Sequence, residues 1–306
     1  DSLQVCSMFL CGLIIVYLGI DNLDGWENFA SVLTDDHPTH LQAYLPADHD
    51  GYPWPGVILG LGFVLSPAYW IGSQAILQRT LGAKSQWDAS ASMMFAAFAK
   101  TLVPLLIVFP GILALVMKAN IDYPDMALPW VIKNVLPAGI SGLMFVAIIA
   151  ALQSTIDSGI NSTSLMITRD IRHVLLKDDD TQNDLKIGRH LTPIILLAAM
   201  AIAPTIGELG GIFTFMQTVL SLFQGPMLAL LLLGALTRRA TPRAGLWTLI
   251  TGVPFAGTLL LFEVNMLYVA FVSFCYSILL LWLLSGRTQA LESAELDQLT
   301  YFSGRK

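Results

Sequence analysis

The stretch AALQSTIDSGINSTSLMITRDI, residues 150–171, continues an apolar run that begins at Ala138. A run of that length exceeds the roughly 20 residues a helix needs to cross a bilayer core. Its polar residues are not those of a lipid-facing helix. Ser154, Asp157, Ser158 and Asn161 follow an i, i+3, i+4, i+7 pattern and share one face, with Thr155 on its shoulder. A carboxylate at mid-membrane costs at least about 2.5 kcal/mol on insertion scales, so Asp157 must face a partner or a wet cavity. Hydroxyls with one carboxylate offer only oxygen ligands, the preference of a hard cation. Two readings stand side by side: an ion site, or hydrogen bonds that fasten this helix to its neighbours.

The rest of the chain has the same character. Of 306 residues, 55% are hydrophobic and 12% charged, against about 25% charged in an average soluble domain. Mean hydropathy is +0.66. Disordered, collagenous and disulfide-built classes are excluded, and Cys6, Cys11 and Cys275 read as free thiols in apolar segments. Apolar runs predict eight transmembrane helices: Asp1–Ile20, Pro55–Arg79, Ala89–Met117, Ala138–Asp170, Arg189–Pro204, Gly211–Leu236, Gly245–Phe262 and Met266–Ser285. The runs are continuous rather than alternating, which argues against strands. The chain opens on Asp1 with an apolar run directly behind it, and a truncated start is expected.

Lysine and arginine orient the helices. Thirteen of the 16 fall in the connections after the second, fourth and sixth helices and in the tail; Lys118 and Lys133 lie on the other side, and Lys100 lies within an apolar run. The positive-inside rule then puts the tail, 286–306, in the cytoplasm. The loop from Asp21 to Trp54 has no Lys or Arg, seven acidic residues, and His37, His40 and His49, and is expected outside as a solvated acidic loop. Its histidines lack distinctive metal-ligand spacing. No basic run resembles a nucleic-acid footprint.

Other spans carry unusual residues. The second, PGVILGLGFVLSPAYWIGSQAILQRT, contains Gly60, Gly62, Pro67 and Gly72, and a break is expected at Pro67. Broken transporter helices expose backbone groups to a substrate, and Tyr69–Trp70 beside the break can cover a ligand; a packed proline kink is the plainer alternative. Lys100 must snorkel or pair in a polar cavity. Gln217 is a further polar group within its span. Signatures of metalloproteases, P-loop enzymes and serine hydrolases are absent from the sequence.

Four stretches in order along the chain resemble the sodium/solute symporter family, and within it the sodium–sugar cotransporters: QRTLGAKS (78–85), FAAFAKTLVPLLIVFPGI (95–112), AALQSTIDSGINSTS (150–164) and LLLLGALTRRATPRAG (230–245). The resemblance implies an all-α membrane protein with a leucine-transporter-like inverted-repeat fold in a single transmembrane domain, 1–306. Residues 1–20 would be the fifth core helix, 55–236 the second repeat and 245–285 two peripheral helices, with the first half missing. It implies sodium-coupled symport of a sugar or similar solute across the cell membrane, with no cofactor beyond the coupling ion and no enzymatic step. Another solute on the same fold, such as a sialic acid, a nucleoside or an amino acid, is the alternative; a channel or sensor is a more distant one. By the same resemblance, Ala151, Ser154 and Thr155 bind sodium, and Asp1, Asp157 and Ser158 form a possible second ion site. The solute falls to Ser66, Tyr69, Trp70, Lys100 and Gln217. Asp157 departs from the small residue of several members, and Ser66 from the Asn or Thr of sugar carriers.

Overall fold

In the computed structural model, residues 2–42, 44–172, 183–206 and 211–286 are described, and every regular element among them is helical. Among the described residues, eight helices are long and apolar enough to cross a membrane. We number the elements α1 (Ser2–Asp21), α2 (Trp26–Asp36), α3 (Trp54–Gly72), α4 (Gln74–Leu81), α5 (Gln86–Val116), α6 (Ala127–Val135), α7 (Ala138–Arg172), α8 (Asp184–Ile206), α9 (Ile212–Leu236), α10 (Pro242–Leu261) and α11 (Met266–Ser285). Every predicted span is present, with ends shifted by a few residues. Ser85 moves the start of α5 forward by accepting from the Asp88 N–H at 3.1 Å while donating to Asp88 Oδ2 at 2.7 Å. The cap satisfies one of the amide donors that the first turn leaves open.

The second predicted helix is divided, but not at Pro67. Val57–Leu65 is wound as a π-helix that ends where the Ser66 N–H reaches Leu61 O. Pro67, which has no N–H to give, therefore falls at the start of a fresh α-helical segment, Ser66–Gly72. The break comes at Ser73, whose backbone is extended (φ −77°, ψ 112°). A Gly-Ser pair is a weak point of any helix. The Ser73 carbonyl then accepts from Ile76 and Leu77 to start α4.

The acidic loop is also more ordered than its charge implied. It contains α2, which buries Phe29 and Leu33, one turn apart. Phe29 meets Phe109 of α5 with ring centroids 5.4 Å apart. The alternation of charge and apolar residues in WENFASVL is that of an amphipathic helix. His49 Nδ1 accepts from the Gly51 and Tyr52 N–H groups, both at 3.1 Å.

The chain forms two compact units. The first comprises 1–41 and 78–212, the second 42–77 and 213–306. In the first, α1 packs on α5 and α7, and α6 closes one end over Cys11, Ile15, Leu113, Val131 and Met144. In the second, α11 lies against α3 and α10, with Val64, Ala68, Leu228 and Leu267 at the centre. Lipid provides no hydrophobic drive between helices, so small residues that allow close approach must do this work. Gly60 and Gly225 are of this kind. A Cβ at Gly60 would collide with Leu267 O, and one at Gly225 would collide with Ser273 Oγ and lie 2.8 Å from Ala270 O.

Gly60→Ala therefore forces backbone apart and is expected to cost about 1–3 kcal/mol. Gly142→Ala, where a Cβ meets nothing within 4 Å, should be neutral or stabilising. Thermal melting of the two variants in detergent checks the contrast; equal melting temperatures would refute the close crossing.

Candidate functional site

The oxygen-rich face of α7 takes shape in the first unit. The helix is regular through Leu165, so the i, i+3, i+4, i+7 register holds over Ser154, Asp157, Ser158 and Asn161. Ala151, Ser154 and Ser158 are half-buried, whereas Thr155, Asp157 and Asn161 are exposed. Thr155 Oγ1 donates to Ala151 O at 2.9 Å, which brings two of the three expected sodium ligands together. With its proton committed, the Thr155 oxygen retains lone pairs for a further partner. Ser158 Oγ donates in the same manner to Ser154 O at 2.8 Å.

Arg79, at the end of α4, donates from Nη2 to Ser158 Oγ at 2.6 Å. The sequence alone did not reveal this cation, because 79 residues separate the partners. It bears on the expected second ion site: one of its three residues is held by a guanidinium, and Asp1 lies outside the described residues. Lys100 is exposed on α5 in this unit. Further along α7 the helix loosens to π winding over Met166–Arg172. There Arg172 Nη1 pairs with Asp184 Oδ1 at 2.8 Å, and Arg169 approaches Asp184 Oδ2 at 3.3 Å. These contacts join the ends of α7 and α8, as does the Ser164 hydroxyl donating to Gly188 O at 3.1 Å.

The second unit holds the other candidates. Ser66 and Tyr69 are exposed on α3 and Trp70 is half-buried. The Tyr69 and Trp70 rings are 6.3 Å apart and nearly perpendicular, a favourable edge-to-face pair. Gln217 is buried on α9. A Cβ at Gly72 would strike Met227 Cε, so the Tyr69 end of α3 lies beside Met227 of α9. Ten residues of helix, about 15 Å, separate Gln217 from Met227. The unit therefore holds Gln217 and Tyr69 at different levels. Ser221 and Gln224 continue the buried polar stripe, and Gln224 Oε1 has no hydrogen-bond partner among the described residues. Their i, i+4, i+7 spacing from Gln217 was a usable signal in the sequence.

The model of the sodium:solute symporter family matches residues 1–252. The chain belongs to this family. It is 32% identical over 280 residues to a sodium/glucose cotransporter of Vibrio parahaemolyticus, covering 84% of this chain and 51% of the relative. It is 28% identical over 296 residues to a sodium/mannose cotransporter of Bos taurus, covering 86% and 49%. It is 26% identical to a human sodium/myo-inositol cotransporter 2, covering 83% and 42%. Among solved structures, a Na+-coupled sialic acid symporter in a substrate-bound outward-open state matches with a TM-score of 0.76 and 19% identity, over 95% of this chain and 62% of that one. This likeness shows the fold, an all-α, leucine-transporter-like architecture. The chain spans about half the length of the cotransporters it matches. It is a multi-pass membrane protein of a transporter family.

The Arg79–Ser158 bond is a charge-assisted contact at an exposed position. A double-mutant cycle with Arg79→Met and Ser158→Ala should give a coupling energy of about 1 kcal/mol. A coupling indistinguishable from zero in detergent melts would remove the bond from this account.

Proposed function

We propose that the full protein containing this chain is a secondary active transporter that couples sodium entry to uptake of a sugar or sugar-like solute by alternating access. The observation that carries the proposal is the α7 face: a carbonyl and two hydroxyls, Ala151, Ser154 and Thr155, within a membrane-length helix of a symporter family. A hard cation prefers oxygen donors, and within a bilayer such donors are affordable only against a partner or a wet cavity. Sodium binds there, and Asp157 with Ser158 and Asp1 provides the second ion position, where Arg79 competes for the Ser158 oxygen.

The solute is held by Ser66, Tyr69, Trp70 and Gln217, with Lys100 as a hydrogen-bond donor. Tyr69 offers a flat apolar face to sugar C–H groups and a polar tip. Gln217, at a different level, holds another part of the solute. The cotransporters of glucose, mannose and myo-inositol among the relatives support a polyol. A sialic acid is the second reading, favoured by the substrate-class of the solved symporter. Residues 1–20 act as the fifth core helix, 55–236 as the second repeat and 245–285 as peripheral helices. The tail lies in the cytoplasm and loop 21–54 outside the cell membrane, as the distribution of lysine and arginine supports.

The driving force is adequate with one ion. A sodium ion crossing about 100 mV gains roughly 2.3 kcal/mol, and a tenfold concentration gradient adds about 1.4 kcal/mol. The sum supports roughly 500-fold accumulation of a neutral solute.

Thr155→Ala in the full-length protein should raise the sodium concentration for half-maximal uptake at least about tenfold, equivalent to roughly 1.4 kcal/mol of lost ion affinity. Thr155→Ser, which keeps the hydroxyl, should retain near-native sodium dependence. If the alanine variant transports with unaltered sodium dependence, the ion lies elsewhere.

A further inference from the structure

Beside the end of α5 an open groove of about 1170 Å³ is lined by the end of α2, the last turns of α5 and the segment leading to α6. It lies within the first unit and involves none of the ion or solute residues named above. One wall is apolar, formed by Val108, Ile112 and Leu115 of α5; the rim carries Asp35, Asp36 and Lys118.

Two features of the backbone single the groove out. Gly111 lies in its wall, and a Cβ built there meets nothing within 4 Å, so the missing side chain opens space rather than admitting a neighbouring helix. Lys118 closes α5 with φ +53°. Its N–H bonds Leu115 O at 3.0 Å and the Ala119 N–H bonds Ala114 O at 2.9 Å. That paired closure ordinarily selects glycine at the left-handed position. A lysine there is disfavoured by the backbone, and its ion pair with Asp36 is long, 3.8 Å, and solvent-exposed at both ends. Such a pair contributes little to stability. Asp36 therefore holds the Lys118 ammonium only weakly.

We propose that this groove is a binding site for a phospholipid with a phosphoethanolamine headgroup. The position fits, since Lys118 lies just past the end of a membrane-length helix and the apolar wall runs back along that helix. Lys118 Nζ takes the phosphate, and the neighbouring His37 and His40 rings, edge-on at 5.6 Å, supply further polar groups at the rim. The carboxylates of Asp35 and Asp36 accept N–H bonds from the primary ammonium. The acyl chains lie along Val108, Ile112 and Leu115. A trimethylated choline headgroup has no N–H to donate, and a glycerol headgroup has no ammonium to offer Asp35 and Asp36, leaving Lys118 alone to offset the phosphate and both carboxylates.

The test is native mass spectrometry of the full-length protein in mild detergent, presented with equal amounts of phosphatidylethanolamine, phosphatidylcholine and phosphatidylglycerol. Phosphatidylethanolamine should be retained at least fivefold over each of the others. Gly111→Trp, which projects an indole into the groove, should abolish that preference. Lys118→Gly, which the left-handed backbone favours, should reduce the preference at least fivefold while the melting temperature is unchanged or higher, separating lost binding from lost folding. Soluble glycerophosphoethanolamine, lacking acyl chains, should fail to displace the lipid. Equal retention of the three lipids, retention unaffected by Lys118→Gly, or displacement by the soluble headgroup would each overturn the proposal.

Discussion

Inside a bilayer no water is available to the peptide group, so each N–H and C=O must find its partner within the protein. That constraint converts the apolar runs of this chain into helices, and it governs how the chain deviates from them. The deviations are few and locally repaired. Ahead of Pro67 the helix widens, so that the Ser66 N–H reaches Leu61 O before the residue that has none to give. At Ser73 the backbone extends, yet its N–H still bonds Tyr69 O at 3.2 Å, and its carbonyl starts α4. On α7 the side chains follow the same rule: Thr155, Ser158 and Thr163 each donate to the carbonyl four residues back. Hydroxyl protons are thereby committed within the helix, and hydroxyl oxygens are left as acceptors.

The fold was largely legible because it rests on length and hydropathy, which the sequence displays directly. Met266–Ser285 matches its predicted bounds, and the start of α7 at Ala138 follows Pro137, which sets the entry to the helix. The misjudged features depend on short-range competition or on distant partners. Pro67 looked like the break, but a π segment absorbed it, and Gly72–Ser73 proved the weaker link. The acidic residues of the loop masked Phe29 and Leu33, whose four-residue spacing buries them in α2.

The candidate site was legible in part. The register of α7 could be counted along the chain, and so could the buried Gln217, Ser221 and Gln224 stripe of α9. The guanidinium of Arg79 on Ser158 could not, because no pattern in either segment encodes their meeting. The separation of Gln217 from Tyr69 within the second unit is likewise a property of helix packing. Both findings reshape the proposed chemistry, the first by placing a fixed cation beside the possible second ion position, the second by spreading the solute contacts along α3 and α9.

The central claim is that an ion gradient drives solute movement through this protein. Its most direct test is uptake of labelled glucose, mannose, myo-inositol and sialic acid by the full-length protein in proteoliposomes, with an inward sodium gradient and with potassium replacing sodium. The account predicts transient accumulation of at least one of the sugars or polyols above equilibrium with sodium, and none with potassium. Flux that never exceeds equilibrium, or that is the same in potassium, would contradict it.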